Sequence, residues 1–257
     1  ARRYWARLMK EQYGARDHRS LQFRFSTGGM GGGLTAEQPL NNIARATIYA
    51  MAAIFSGTRS LNLACFDEVY AIPSDLAIRT SLRVQQILAH ETGVADVVDP
   101  LGGSYYVEKL TDDMEAKIGE TIAKIESDGG IVKLIESGSI QRELARLSYA
   151  LQTKISSGEK ILVGVNKFKI KEEERDLEVY KTDPETIHRQ IERLKAAKAG
   201  RDKGKVEAAL GRLEAAAARG ENVIPHLFEP LREKATVGEI IDTLKRVYGT
   251  FKEPTTI

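Results

Sequence analysis

Glu68 is the residue of this chain whose position best suits chemistry. It follows a candidate strand, Ser60–Cys65, in which Ser60, Asn62 and Ala64 alternate with apolar residues. In barrels of parallel strands, active-site residues lie just beyond the C-terminal ends of the strands. The alternative interpretation is that Glu68 is an exposed acid that caps the following helix.

Polar side chains also alternate with apolar ones along an earlier candidate strand, Leu21–Ser26. Arg24 and Ser26 share one face of it with Gln22, while the phenylalanines lie on the other. If that polar face is buried, Arg24 needs an anionic partner, because an unpaired buried charge is costly. A ligand phosphate or an internal carboxylate would satisfy it. Arg19, just before the strand, is as readily a solvated surface cation as a binding residue.

A glycine-rich loop, Gly28–Gly33, joins the first strand to a helix predicted at Thr35–Phe55. This context is typical of a loop that cradles phosphate. However, the loop lacks the Gly-Lys-Ser/Thr of a P-loop and the spacing and later acid of a dinucleotide-binding fold. We therefore favour a loop that lies close to a ligand or partner backbone because it has no side chains.

The strand, loop, helix and second strand predict an α/β fold with parallel strands and the helix outside the sheet. Barrel interiors are usually filled by bulky branched side chains. The small or polar faces found here predict a hole along the barrel axis instead. Further helices are predicted at 1–13, 73–93, 111–127 (with Thr111 as the N-cap), 131–136, 140–156, 184–199, 203–219 and 237–248.

The composition of the 257 residues is that of an ordinary soluble domain, with 42% hydrophobic and 29% charged residues. A net charge of +2 gives no case for nucleic-acid binding. The sequence contains no apolar run of about 18 residues, so no membrane span is predicted. A single cysteine fits a reducing compartment, so we expect a cytoplasmic protein. The four histidines are scattered without metal-ligand spacing, and no metal site is predicted.

The ordered motifs of the chain resemble those of the large, substrate-binding subunit of adenosylcobalamin-dependent acyl-CoA mutases, the methylmalonyl-CoA mutase group. Each motif alone is a weak signal, but together they cover nearly the whole chain in order. They are Leu34–Asn42, Gly57–Leu61, Phe66–Glu68, Ile72–Ser74, Gln85–Ile87, Asp99–Glu108, Ser157–Glu159, Ile161–Lys167 and Ala235–Glu239.

The resemblance implies that residues 1–110 are the C-terminal part of an acyl-CoA-binding (β/α)8 TIM barrel, with strands seven and eight at Leu21 and Ser60. Residues 111–257 would be a helical C-terminal extension. Two strands cannot close a barrel, so we expect the N-terminal half of the barrel to lie on another chain or outside the sequence given. Because no cobalamin-binding motif occurs here, we also expect a small cobalamin-binding subunit that holds the corrin. A reactivating GTPase chaperone is a further expected partner.

The activity implied by the resemblance is a radical rearrangement of the carbon skeleton of an acyl-CoA. Homolysis of the cobalt–carbon bond of adenosylcobalamin yields a 5′-deoxyadenosyl radical, which takes a hydrogen atom from the substrate. By resemblance, Glu68 accepts hydrogen bonds from the ribose of the adenosyl group. Ala64 replaces an asparagine of the family, so one adenosyl contact is lost or replaced.

By the same resemblance, the CoA chain passes along the barrel axis beside Ser60. Methylmalonyl-CoA mutases carry His and Gln at the places of Ser26 and Gly28, so the smaller residues favour an acyl group bulkier than methylmalonyl, such as a substituted succinyl group. The expected substrate-binding residues are Arg19, Arg24, Ser26, Gly28, Ser60 and Asn62.

A non-catalytic role is the alternative, in which the chain is a mutase-like subunit or a scaffold of a mutase complex. Arg24, Ser60 and Glu68 together favour the enzyme. Ala64 keeps the alternative open, because it cannot make the contact of the family's asparagine.

Overall fold

A computed structural model of the chain describes residues 1–28, 31–170 and 180–254. Its backbone forms two compact units, Ala1–Tyr180 and Lys181–Pro254. Helices predominate in both units, and the sheet found among the described residues has two strands. None of the helices described here is both long and apolar enough to cross a membrane.

The two strands are parallel, as predicted, but much shorter than expected. Strand β1 is Ser26–Thr27 and strand β2 is Ser60–Leu61, with Ser26 opposite Ser60 and Thr27 opposite Leu61. The prediction of strands over Leu21–Ser26 and Ser60–Cys65 is wrong in length. Backbone amides of residues 21 and 22 donate within a turn to carbonyls of residues 18 and 19, so they do not extend the ladder.

The N-terminal helix packs against the apolar side of the segment that leads into β1. Helix α1, Arg2–Arg7, continues as a π-helical turn, Leu8–Gln12. The ring centroids of Trp5 and Phe23 lie 5.4 Å apart, and those of Phe23 and Phe25 lie 5.3 Å apart. Trp5 Nε1 also donates to the carbonyl of Ser20 at 3.0 Å. The predicted apolar face of this segment is therefore confirmed.

Helices α2, Asn41–Phe55, and α3, Asp75–Glu91, form the core of the first unit together with β2. The prediction that α2 begins at Thr35 is wrong. Gln38 has a positive φ of 48°, and the ring of Pro39 lacks the N–H that a helix interior requires. The residues buried in this core are Ala46, Ala50, Leu63, Val84 and Leu88. The alanines let the helix approach β2 closely.

Three more helices follow in the first unit: α4, Tyr105–Ser127; α5, Ile131–Glu136; and α6, Ser139–Ser156. Thr111 is not an N-cap, because α4 begins six residues earlier in the chain, after Ser104. The Thr111 hydroxyl donates to the carbonyl of Val107 at 2.7 Å, a bond made within a helix. The predicted domain division at residue 110 falls inside α4 and stays a prediction.

The second unit is helical, with α7, Pro184–Ala199; α8, Lys203–Ala218; α9, Ile224–Arg232; and α10, Val237–Tyr248. Val206, Leu213, Ala235 and Ile240 form its buried core. Helix α9 was not predicted. Pro225 lies in its first turn, where the missing N–H costs nothing, and Pro230 lies within it.

An ion pair and a capping box fix the start of α10. The Thr236 side chain accepts from the Glu239 backbone at 3.2 Å, and the Glu239 carboxylate accepts from the Thr236 backbone at 2.8 Å. Arg201 donates to both oxygens of the same carboxylate. The Arg201 hydrogen bond is the main cause that lowers the pKa of Glu239 to about 2.

We predict that Glu239→Gln destabilises the second unit at neutral pH and not in strong acid. The lowered pKa means that the carboxylate stabilises the fold fully above about pH 4.5, and that this contribution is lost as the pH falls toward about 2. At pH 7 the loss should be about 1.5–3 kcal/mol, the range for hydrogen bonds to a charged group. Urea unfolding followed by helical circular dichroism at pH 7, 5 and 2 measures it.

Glu229→Gln is the matched control, because Glu229 pairs with Arg212 at an exposed position. It should change the unfolding free energy by about 1 kcal/mol or less. A destabilisation by Glu239→Gln that is independent of pH would contradict the role of its charge.

Candidate functional site

Four of the predicted residues lie together on one face of the parallel sheet. The Ser60 hydroxyl donates to the Ser26 hydroxyl at 2.6 Å. One step further along, a Cβ on Gly28 would lie 3.7 Å from the Cβ of Asn62. All four residues are exposed. We call Ser26, Gly28, Ser60 and Asn62 the polar face.

Glu68 lies beside the glycine loop, beyond the end of β2. A Cβ on Gly31 would lie 3.6 Å from Glu68 Oε1 and 3.9 Å from the Cβ of Ala64. Ala64 is only 4% exposed, whereas Glu68 is exposed. The Gly31–Gly33 turn is a 3-10 helix; Gly29 and Met30 lie outside the described residues. The absence of a side chain at Gly31 leaves space next to an accessible carboxylate.

The turn after β2 holds Glu68 from its backbone. Glu68 Oε2 accepts from the Cys65 amide at 3.2 Å, and the Glu68 amide donates to the Cys65 carbonyl at 3.2 Å. Glu68 does not cap the following helix, because Ser74 is the N-cap of α3 and accepts from the amide of Ala77 at 3.3 Å. The capping interpretation of Glu68 is therefore wrong.

Asp67 anchors the loop between Glu68 and α3. Its Oδ2 accepts from both the amide of Ser74, at 2.9 Å, and the Ser74 hydroxyl, at 2.8 Å. Asp67 is 4% exposed, so these bonds form away from solvent. A carboxylate that accepts two hydrogen bonds in a buried loop fixes the path of the chain on both sides of it.

The two predicted arginines lie on the segment before β1. Arg24 is exposed, and its guanidinium donates to Gln22 Oε1 at 3.2 and 3.0 Å. Arg24 was expected to need an anionic partner if the polar face is buried, and this side of the segment is exposed here. Arg19 lies exposed on a turn, where its amide donates to Asp17 Oδ1 at 2.8 Å. The binding roles of both arginines stay predictions.

Asn42 was missed by the sequence analysis, although it is the most completely bonded polar residue near Glu68. It is 0% exposed. Its Nδ2 donates to the carbonyls of Thr35 and Phe66, both at 2.9 Å, and its Oδ1 accepts from the Thr35 amide at 3.1 Å. A signal was present, because Asn42 occupies the first buried position of α2, where the later ones are alanines.

Arg45 completes this network. Its Nη1 donates to Asn42 Oδ1 at 2.8 Å and to Thr35 Oγ1 at 2.9 Å, and its Nη2 donates to the carbonyl of Val163 at 2.8 Å. Nearby, Gln38 Nε2 donates to the carbonyl of Phe168 at 2.9 Å. The segment 161–168 is thereby fixed against the start of α2.

The remaining titratable groups around Glu68 do not form a metal centre. Among the described residues, no three or more His, Cys, Asp or Glu side chains are grouped so that they could hold a metal ion. Cys65 is buried, and its burial raises the pKa of the thiol. A buried thiol with a raised pKa is a poor nucleophile. The accessible groups are therefore hydroxyls, an amide and one carboxylate, which suit hydrogen bonding to a ligand.

Comparison with known proteins identifies the family. Residues 1–250 match the family model described as methylmalonyl-CoA mutase. The chain belongs to the methylmalonyl-CoA mutase family. This confirms the resemblance found in the sequence. Three of the matched motifs are in contact, because the start of α2 bonds both to Phe66, in the turn after β2, and to Val163.

Members of the family with assigned names align with almost the whole chain. It is 42% identical to the 2-hydroxyisobutanoyl-CoA mutase large subunit of Aquincola tertiaricarbonis, over 98% of this chain and 45% of that protein. It is 37% identical to human mitochondrial methylmalonyl-CoA mutase, over 98% of this chain and 34% of that protein. The methylmalonyl-CoA mutase of Rhizobium meliloti is 36% identical, with 98% and 35% covered. The chain thus spans less than half the length of each of these relatives.

The glycine turn beside Glu68 gives a prediction with a built-in control. A Cβ on Gly33 would overlap the Tyr49 hydroxyl and lie 2.8 Å from its Cζ, whereas a Cβ on Gly32 would meet nothing within 4 Å. Gly33→Ala should therefore destabilise the first unit by about 1–3 kcal/mol through overpacking. Gly32→Ala should have little effect.

The measurement is the midpoint of thermal unfolding of both variants. Equal midpoints for Gly32→Ala and Gly33→Ala would show that Tyr49 does not restrict the turn. If the overlap is the cause, Gly33→Ala should cost less stability in a Tyr49→Ala background than in the unmodified chain.

Proposed function

We propose that this chain is part of the large, substrate-binding subunit of an adenosylcobalamin-dependent acyl-CoA mutase, an isomerase. The observation that carries the proposal is the position of an accessible carboxylate, Glu68, at the end of the exposed polar face. Family membership supports it, and so do the names of the relatives, which are CoA-ester mutases.

In this proposal β1 and β2 are strands seven and eight of a (β/α)8 barrel, and the helices after residue 110 form an extension. The parallel register and the intervening helix α2 support this assignment. So does the difference between the two sides of the strands. One side packs on α1 and α2 through aromatic and alanine side chains, and the other carries the polar face. The polar face would line the barrel axis.

The residues around Glu68 fit the adenosyl group of the cofactor. One carboxylate oxygen accepts from Cys65, while the other faces the turn at Gly31, where no side chain intervenes. A carboxylate in this position can accept hydrogen bonds from vicinal ribose hydroxyls. When bound, adenosylcobalamin supplies the radical chemistry of the rearrangement. Ala64 leaves the ribose without a second side-chain partner at that position.

The polar face suits the CoA arm of the substrate. The hydroxyls of Ser26 and Ser60 and the amide of Asn62 can pair with the amide groups of such a chain, and Gly28 allows it to approach the backbone closely. Arg19 and Arg24 lie at the exposed entry to this face, where they would pair with CoA phosphates. The protein's own contribution is to hold substrate and cofactor in register and to exclude water.

Partner chains complete the proposed assembly, a cytoplasmic hetero-oligomer. A small cobalamin-binding subunit would hold the corrin, six further strands would close the barrel, and a GTPase chaperone would reactivate the enzyme. A non-catalytic scaffold is not favoured, because the named relatives are mutases and the carboxylate is accessible.

If Glu68 holds the ribose, Glu68→Gln in the assembled mutase should slow turnover about tenfold or more. The substitution keeps the shape but weakens a charge-assisted hydrogen bond, at a cost of about 1–3 kcal/mol. The affinity for acyl-CoA should hardly change, since the carboxylate does not contact it. Steady-state kinetics and acyl-CoA binding measure the two effects.

Glu91→Gln, at the exposed C-terminal end of α3, is the control and should leave turnover as it is. Unchanged turnover in Glu68→Gln would remove Glu68 from the site.

The small residues of the polar face predict that the substrate carries a bulky acyl group. Ser26 and Gly28 leave space that His and Gln fill in methylmalonyl-CoA mutases, so an alkyl- or aryl-substituted succinyl-CoA should be accepted. Ser26→His/Gly28→Gln should reject the large substrate by steric overlap, at a cost of at least about 1–3 kcal/mol. Gains on small substrates should be modest, about 1–3 kcal/mol per methylene-sized gap.

The assay compares kcat/KM for methylmalonyl-CoA, 2-hydroxyisobutanoyl-CoA and substituted succinyl-CoA esters in both forms. The 2-hydroxyisobutanoyl ester is included because a relative of 42% identity is named for it. A preference of the unmodified enzyme for either small ester would show that the enlarged pocket is wrong, whatever the role of Glu68.

A further inference from the structure

We infer that Asn42 and Arg45 are positioning residues for Glu68, and that they act through the backbone of the turn after β2. The inference rests on the proposed function, because it assigns these residues to the site where Glu68 would hold the adenosyl group. It adds a buried support that connects the carboxylate to the start of α2 and to the segment 161–168.

The first step is the bond from Asn42 to the turn. Asn42 Nδ2 donates to the carbonyl of Phe66, two residues before Glu68, at 2.9 Å. This bond fixes the peptide plane between Phe66 and Asp67. On the other side of Asp67, the bonds to Ser74 fix the loop. Glu68 is therefore placed by two buried anchors, although its carboxylate is exposed.

The second step is the pair of hydrogen bonds between Asn42 and Thr35, which follows the glycine loop. The Asn42 amide donates to the carbonyl of Thr35 and accepts from its N–H, at 2.9 and 3.1 Å. Thr35 follows the Gly31–Gly33 turn that faces Glu68 Oε1. The Asn42 side chain thus bonds to both segments that flank the carboxylate, the one after the glycine turn and the one after β2. A change at Asn42 should alter the distance between them.

Arg45 holds Asn42 in the orientation that makes these bonds. Its guanidinium donates to Asn42 Oδ1 at 2.8 Å. Because a guanidinium can only donate, this bond identifies Oδ1 as the acceptor of the Asn42 amide and Nδ2 as its donor. The positive charge on the oxygen side polarises the amide and strengthens the bonds from Nδ2. The bond to the Val163 carbonyl, 118 residues away in sequence, fixes the guanidinium itself.

Packing alone does not account for this arrangement. The other buried positions of α2 are Ala46, Ala50 and Ala53, so small apolar residues fill this helix face. A buried amide is stabilising only when its hydrogen bonds are satisfied, and an apolar residue is the simpler way to fill space. The four bonds of Asn42 instead specify one arrangement of the turn.

The decisive variant is Asn42→Asp in the assembled mutase. It keeps the size and the acceptor for Thr35 and Arg45, but it replaces the donor by an oxygen that faces two carbonyls. Arg45→Lys is the second variant, which keeps the charge but cannot reach three acceptors at once. Asn41→Asp is the matched control, because Asn41 is exposed and its side chain donates to Gln38, three residues earlier in the chain. Circular dichroism verifies that each variant is folded.

Equilibrium binding is measured for adenosylcobalamin and for hydroxocobalamin, which lacks the adenosyl group. The quantity compared between variants is the ratio of the affinity for adenosylcobalamin to the affinity for hydroxocobalamin. We expect Asn42→Asp to weaken adenosylcobalamin binding about tenfold relative to hydroxocobalamin, as Glu68→Gln should, and Arg45→Lys to act in the same direction. Asn41→Asp should leave the ratio unchanged. In a Glu68→Gln background, Asn42→Asp should change the ratio less than about twofold, because it acts through Glu68.

The outcomes separate the two proposals. If Glu68→Gln lowers the ratio but neither Asn42→Asp nor Arg45→Lys does, the positioning role is wrong and the proposed function stands. The role is also overturned if both cobalamins lose affinity equally, or if the effects of Asn42→Asp and Glu68→Gln on the ratio multiply. If Glu68→Gln leaves the ratio unchanged, both the adenosyl contact and the positioning inference fail. Should Asn42→Asp not fold, Arg45→Lys alone decides between these results.

Discussion

The first unit depends on the hydrogen bonds of one buried amide. Asn42 connects the chain after the glycine turn to the chain after β2, and it does so at a position without solvent. Removing it would leave the carbonyls of Thr35 and Phe66 and the amide of Thr35 without these partners, and each buried, unsatisfied polar group costs about 1–3 kcal/mol. Because the four bonds are directional, they admit one arrangement of the two segments. Apolar packing between α2 and β2 holds them together but does not choose between nearby arrangements.

Because successive side chains of a strand point to opposite faces, the sheet has one face that packs on helices and one that carries the polar residues of the proposed site. Phe23 contacts Trp5 of helix α1, and Phe25 stacks on Phe23. Leu61 and Leu63 pack with α2 and α3, while Ser26 and Ser60 lie on the opposite face. A shift of register by one residue would exchange these faces. Pairing Ser26 with Ser60 therefore fixes the fold and brings the polar residues together, so that the stability of the core also maintains the site.

The sequence was sufficient for features that local patterns determine, and insufficient for those that depend on distant contacts. Helices α7 and α10 have the predicted bounds, because helix-start signals and helical periodicity are local. Strand length was overestimated, since alternation describes which residues could pair but not where a partner strand ends. Helix α9 was not predicted, and it contains two prolines, Pro225 and Pro230. The alternation of polar and apolar residues placed Ser26, Ser60 and Asn62 on the polar sides of their strands, whereas the roles of Gly28 and Glu68 came from the resemblance to the family. Arg45, by contrast, bonds to Val163, and no local pattern reports a contact across 118 residues.

The surroundings of Glu68 limit the motion of its backbone while its carboxylate stays accessible. A glutamate side chain in water has several rotamers, and ordering it on binding costs free energy. Burying Glu68 would limit its rotamers but would also remove its hydration and oppose its charge. The structure instead buries the two residues before Glu68, Phe66 and Asp67, and leaves the carboxylate exposed with a backbone donor from Cys65. Rigidity comes from the backbone, while the charge keeps its solvent until a ligand replaces it. A binding group supported in this way is preorganised without the penalty of a buried ion.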